Sequence, residues 1–121
     1  MVEFFFDSYA VIEILKGNPN YARYSEEEIT ITIFNLVEIY WSTLQDSDEK
    51  TADQVYRRFR DCVVELPDDI IKAAVKFRKT NKQKDLSYAD CIGYIYSMKK
   101  SLVFLTGDKQ FEDLQNVEFI K

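Results

Sequence analysis

The chain has 121 residues, a length that fits one compact domain, and 46% of them are hydrophobic, ample for a single core. Its formal net charge of -5 argues against binding long duplex DNA by phosphate neutralisation. Histidine is absent, which excludes Ser-His-Asp and Cys-His chemistry, imidazole-bound zinc and any histidine general base.

The count of Gly is 3 and of Pro 2, and no stretch is low in complexity or repeated, so residues 1–121 are expected to form one domain. The opening apolar run Val2–Phe6 ends at Asp7, too short for a signal-peptide core or a membrane span. Cys62 and Cys91 are widely spaced and match no zinc or redox pattern, so both are expected to be small core residues. Together these features imply a reduced, cytoplasmic protein.

In chain order, Val2–Phe6 reads as a buried strand, and Asp7-Ser8 leads into a helix from Tyr9 to about Lys16. Gly17 sits where a left-handed cap belongs, with Pro19 beyond it and a helical turn over Asn20–Tyr24. Ile29, Ile31 and Ile33 alternate with threonines, a strand signal. Val37, Tyr40, Trp41 and Leu44 then recur at intervals of three and four, which predicts that a helix follows directly.

A second amphipathic helix is expected over Asp48–Arg60, with Ala52, Val55, Tyr56 and Phe59 on one face, and a strand over Cys62–Leu66. Pro67-Asp68-Asp69 opens a helix to about Lys79 with Ile71, Ala74 and Val75 inward, and Ser87 caps another from Tyr88 to Lys100. Leu102–Thr106 is the next strand, Gly107-Asp108 breaks it, a turn follows over Gln110–Leu114, and Val117–Ile120 closes the chain as a short strand. Strands alternating with helices predict a three-layer α/β/α sandwich around a parallel sheet of about four to five short strands. Right-handed crossovers put the carboxyl ends of the strands along one edge, where such folds build their sites.

Against that frame the acids become informative. Asp7 follows the first strand and Asp108 follows Leu102–Thr106, so both fall at the carboxyl edge. Glu38 lies early in the helix after the Ile29–Ile33 strand, among Leu36, Val37, Ile39, Tyr40 and Trp41. Asp90 lies in the first turn after Ser87, beside Ala89, Cys91 and Ile92. A carboxylate in such apolar company needs a cation, a hydrogen-bond network or a metal. Each acid also has a plain local role available: Asp7 and Asp108 as helix caps, Asp90 in a capping box, Glu38 on a solvated stripe with Asn35, Ser42 and Gln45. Convergence of all of them on one edge favours a hard divalent ion and phosphodiester chemistry instead.

Phe5-Phe6-Asp7-Ser8, Thr32–Glu38, Leu86-Ser87-Tyr88-Ala89-Asp90 and Leu105-Thr106-Gly107-Asp108-Lys109-Gln110-Phe111, in this order and spacing, resemble the PIN-domain nucleases. The likeness is greatest to the small VapC-type toxins of prokaryotic toxin–antitoxin pairs. The resemblance implies Mg²⁺ or Mn²⁺ bound by Asp7, Glu38, Asp90 and Asp108, with the last the more variable contributor, and hydrolysis of RNA. It implies that Ser8 and Thr106 orient the acids or waters, and that an antitoxin lays an apolar helix or strand near the first two helices. Look-alikes are commonly homodimers.

Converging acids should repel one another and raise some of their pKa values in the absence of metal. Lys76, Arg78, Lys79, Lys82 and Lys84 form a basic run, of which Lys79, Lys82 and Lys84 are weak candidates for RNA-backbone contact against the alternative of a solvated helix end. Tyr9, Tyr21, Tyr24, Tyr40 and Trp41 are candidates for base stacking or partner contact, or else core. Two other function classes fit these residues less well. A signalling receiver domain is disfavoured because Phe6 and Ser8 flank Asp7 and the strand Cys62–Leu66 runs into Pro67. A catalytically silent PIN-like module that binds RNA or protein is the remaining alternative.

Overall fold

A computed structural model describes every residue from Met1 to Lys121. Strand β1 (Phe4–Phe6) lies beside β2 (Val103–Thr106), which in turn pairs with β3 (Val117–Phe119). All pairings are parallel, with Phe5 opposite Phe104 and Phe104 opposite Val117. The pleat sends alternate side chains to opposite faces. Phe4, Phe6 and Leu105 enter one core, while Phe5 and Phe104 enter the other.

Helix α1 (Ser8–Leu15), a 3₁₀ turn (Pro19–Tyr24), α2 (Ile33–Asp46) and α3 (Glu49–Arg60) contribute to the first core. Helices α4 (Asp68–Thr80) and α5 (Tyr88–Lys99), with a short 3₁₀ turn (Lys109–Phe111), pack on the second. The predicted α/β/α layering is therefore present, with the expected helices displaced by a residue or two at their ends.

Two expected strands are reduced to a single bridge. Ile31 and Val63 form one parallel bridge, because Thr32 already caps α2 and Ile33 is helical. The sheet pattern nonetheless continues outward: the Phe6 N–H donates to Thr30 O at 2.9 Å, Ile31 N–H to Cys62 O at 3.1 Å and Val64 N–H to Ile31 O at 3.0 Å. The lateral order is thus Val63, Ile31, β1, β2, β3.

The structure decides which side of α2 is buried, and on α4 it differs from the expected inward set. On α2 the inward residues are Asn35, Leu36 and Ile39, whereas Val37 is 61% and Trp41 63% exposed. The stripe from Ile33 and Phe34 through Val37 and Trp41 to Leu44 runs along the outside. On α4 Ile70 and Ala74 face the core and Val75 is exposed. Both helices carry apolar residues around much of their circumference, so spacing alone did not choose the buried side. Tyr21 and Tyr24 are buried, fastened to the C-terminal segment by hydroxyls that donate to Ile120 O and to Glu118 Oε2.

Gly93 on α5 marks where the second core is tightest: a Cβ there would stand 2.7 Å from Phe5 Cε1 and 3.2 Å from Phe104 Cε1. Those rings are fully buried and stacked on each other, so neither has room to yield. The rotated face of α4 is testable by denaturant unfolding. Ile70→Ala is expected to cost about 2–5 kcal/mol, and Val75→Ala to stay within about 0.5 kcal/mol; equal losses would place Val75 inward after all.

Candidate active site

The residue after β1 is Asp7, extended at φ -61° and ψ 156°, and it caps α1. Its Oδ1 accepts from the Ser8 N–H at 2.8 Å and its Oδ2 from the Thr106 hydroxyl, at the end of β2, at 2.7 Å. Thr106 Oγ1 in turn accepts from the Asp108 N–H at 3.0 Å. Gly107 lies between them, and a Cβ there would collide with the Tyr9 ring and the Ile120 carbonyl, so the turn that presents Asp108 requires glycine. Asp108 Oδ1 accepts from the Gln110 N–H at 3.0 Å.

A second hydroxyl repeats this arrangement. Ser8 Oγ donates to Glu38 Oε1 at 2.5 Å and accepts from Asn35 Nδ2 at 2.9 Å. Asn35 is fully buried, and its Oδ1 accepts from Thr32 Oγ1 at 2.8 Å and from the Thr32 N–H at 2.9 Å, closing a capping box on α2. Each hydroxyl therefore receives one N–H and gives its own proton to one acid, which fixes both side chains. Asp90 closes the corresponding box on α5: its Oδ2 accepts from the Ser87 N–H at 2.9 Å, and its N–H donates to Ser87 Oγ at 3.0 Å.

The local capping roles and the convergence are both real. Asp7, Glu38, Asp90 and Asp108 all line one open cavity of about 590 Å³, together with Ser8 and Ser87 and an apolar wall that includes Val37 and Trp41. No Lys or Arg pairs with any of them; the ion pairs of the chain are Lys16–Glu13 and Lys84–Asp113. Glu38 Oε2, Asp90 Oδ1 and Asp108 Oδ2 accept no hydrogen bond from the protein. No group of three acids forms a ready-made metal cage. The donor set nonetheless fits a hard divalent ion that keeps several of its waters, since free carboxylate oxygens face shared space without a competing cation.

Electrostatics point the same way. Burial, followed by repulsion from Asp90, pushes the Asp7 carboxyl up to about 8, against hydrogen bonds from Thr106 and Ser8 that favour its charged form. Burial also raises Asp90 to about 6, and the charges of Asp108 and Glu38 add to it. The expectation that converging acids raise one another's pKa is met in direction, although desolvation is the larger cause.

Thr32 and Asn35 lie in the Thr32–Glu38 segment, yet sequence reasoning gave neither a role in the site. It set Asn35 on a solvated stripe only in the alternative reading of Glu38. The Thr32-x-x-Asn35 spacing was the available signal, since it is a capping box with an amide in place of Glu. Of the basic candidates, none lines the acidic cavity. Lys84 Nζ is occupied by Gln110 O at 3.0 Å and Asp113 Oδ1 at 2.9 Å, while Lys79 and Lys82 are exposed.

With this geometry in place, comparison identifies the family. The PIN domain family model matches residues 4–117, so the chain belongs to the PIN domain family. Its fold is similar to the toxin VapC20 of Mycobacterium tuberculosis, described as cleaving the sarcin–ricin loop, with a TM-score of 0.78, 16% identity and coverage of 98% of this chain and 100% of that one. A toxin–antitoxin complex from Klebsiella pneumoniae contains a chain that aligns with a TM-score of 0.74, 17% identity and 96% coverage of both chains. VapBC2 of Rickettsia felis, solved on a DNA fragment from its promoter, aligns with a TM-score of 0.70, 12% identity and full coverage of both chains. No curated protein matches the chain in sequence.

The raised Asp7 pKa has a sign that can be checked. The folded state holds this proton up to about 8 while the unfolded chain releases it near 3.8. Its stabilising contribution is thus complete below the unfolded value and is lost as pH rises through about 8. In EDTA, Asp7→Asn should melt above the unsubstituted chain at alkaline pH, and the gap should close towards acid; a gap constant with pH would contradict the buried, protonated carboxyl.

Proposed function

We propose that this chain is a Mg²⁺- or Mn²⁺-dependent endoribonuclease acting as the toxin of a type II toxin–antitoxin pair. The observation that carries this reading is the single cavity on which Asp7, Glu38, Asp90 and Asp108 converge with no basic partner. Asp7, Glu38 and Asp90 would hold the ion, directly or through water, and Asp108 would contribute at the rim. When bound, the ion supplies a water of lowered pKa and positive charge against the phosphate.

The protein's own part is positional. Thr106 fixes Asp7 and Ser8 fixes Glu38 before substrate arrives, so little reorganisation remains for the bound state. Without a cation the carboxylates repel a phosphodiester. The burial of Asp7 and Asp90 keeps both acids partly protonated near neutrality, and metal binding must therefore release protons.

Solved relatives described as toxin–antitoxin complexes support a protein partner. The exposed stripe Ile33, Phe34, Val37, Trp41 and Leu44 supports its location, because Val37 and Trp41 also form the wall of the acidic cavity. An antitoxin segment on that stripe would reach the acids, and an Arg carried on it would compete with metal and RNA. We also propose a homodimer in a cytoplasmic setting; no helix of the chain is long and apolar enough to cross a membrane.

Asp7→Asn and Asp90→Asn, each folded by circular dichroism, should each lose at least about 100-fold in RNA cleavage, the scale of removing one electrostatic contributor. Cleavage by both variants at the unsubstituted rate would overturn the reading and point to a contaminating nuclease. The lack of a ready-made cage favours a second reading, a silent PIN module that binds RNA or protein. That reading gains if the unsubstituted chain binds RNA but cuts none in Mn²⁺.

A further inference from the structure

Beside the acidic cavity, where the end of α4 meets the start of α5, lies a second feature of different chemistry. Arg78 Nε donates to Leu86 O at 2.9 Å, and the Arg78 guanidinium sits 4.3 Å from the centre of the Tyr88 ring. Tyr88 is nonetheless 53% exposed, so ring surface that the guanidinium does not cover remains open to solvent. A cleft of about 160 Å³ next to this pair is bordered by three cations and one acid, Arg78, Lys82, Lys84 and Asp85, together with Leu86. Lys84 is committed to Gln110 and Asp113, while Lys82 makes no hydrogen bond or ion pair.

The two features adjoin. Leu86 borders the basic cleft and the next residue, Ser87, borders the acidic cavity, with Tyr88 following directly. An aromatic ring backed by a fixed cation suits stacking of a base, and the unpaired Lys82 ammonium with the remaining N–H groups of Arg78 suits a phosphate. Bases are available to stack only where a strand is unpaired. A protein partner would call for contiguous apolar area, which the charged surroundings of Tyr88 lack.

We infer that Tyr88 is a stacking platform for a nucleobase of single-stranded RNA, with Lys82 and Arg78 receiving the adjoining phosphate of the strand that enters the acidic cavity. The inference rests on the ribonuclease reading and deepens it by naming where the strand is held beyond the reacting phosphate.

The test is fluorescence anisotropy with a labelled, unstructured RNA of about 12 nucleotides carrying a phosphorothioate backbone that resists cleavage, within the usual single-strand site size, measured in EDTA and in Mn²⁺. Tyr88→Leu should weaken binding about 5- to 100-fold, the range of one lost base stack, and Tyr88→Phe should bind within about two-fold of the parent. Lys82→Ala should weaken binding several-fold and make it less salt-dependent by roughly one ion. Thermal melting of each variant reports on the fold separately, and Lys82 is exposed and unpaired, so its arm stands even if Tyr88→Leu is unstable. Unchanged affinity in folded Tyr88→Leu, or in Lys82→Ala, overturns the platform and leaves the nuclease reading intact. Absence of RNA binding by the unsubstituted chain in both conditions overturns the two together.

Discussion

A carboxyl group buried at the end of a central strand must be held by something, and Asp7 is held by the ends of β1 and β2 at once. Thr106 donates to one oxygen, the Ser8 amide donates to the other, and the Asp7 N–H reaches Leu105 O at 3.0 Å. The parallel register that pairs Phe6 with Leu105 is what brings Thr106 to this position. A one-residue slip would turn Thr106 away and leave the buried acid without its strongest neutral partner. The phenylalanines of β1 therefore do two jobs through one register: they fill the cores on both faces, and they fix the edge on which the acids meet.

The second hydroxyl couples that edge to α2. Because Ser8 is the first residue of α1 and Asn35 lies in the first turn of α2, the Asn35–Ser8–Glu38 chain sets how the two helices approach each other near the cavity. Asn35 occupies the inward face of α2, and the apolar stripe is left to the outside. The inward face of α2 thus sets one buried amide beside the core residues Leu36 and Ile39, and the outward face carries a second apolar stripe. Asn35 on the inward side serves the carboxylate network through Ser8, and Val37 and Trp41 on the outward side wall the cavity. The acids keep free oxygens, and no cation of the chain relieves their repulsion, so the resting site retains unspent attraction for positive charge.

Much of this was legible in the sequence because the relevant signals are local. Asp7, Asp90 and Asp108 each stand where a strand or loop gives way to a helical segment, and cap chemistry together with strand ends placed them correctly. Glu38 was placed by its apolar neighbours. What escaped was set by tertiary contact. Val37, Trp41 and Leu44 repeat with helical spacing as well as Leu36 and Ile39 do, and only the packing against α1 and the sheet decides which stripe is buried. Ile29–Ile33 has strong β character, yet the cap at Thr32 ends its pairing after a single bridge. Lys84 reads as one of a basic run, and its commitment to Gln110 and Asp113 depends on a contact with a segment 26 residues away.

The central claim, that the converging acids form a divalent-ion site whose protons compete with the ion, is tested most directly by melting the full chain at increasing Mn²⁺ at about pH 6 and about pH 8. The account predicts a Tm that rises with Mn²⁺ at both, and further at the alkaline value, because at the acid value Asp7 must first surrender a proton it holds up to about 8. A Tm indifferent to Mn²⁺, or a rise of equal size at the two pH values, would contradict it.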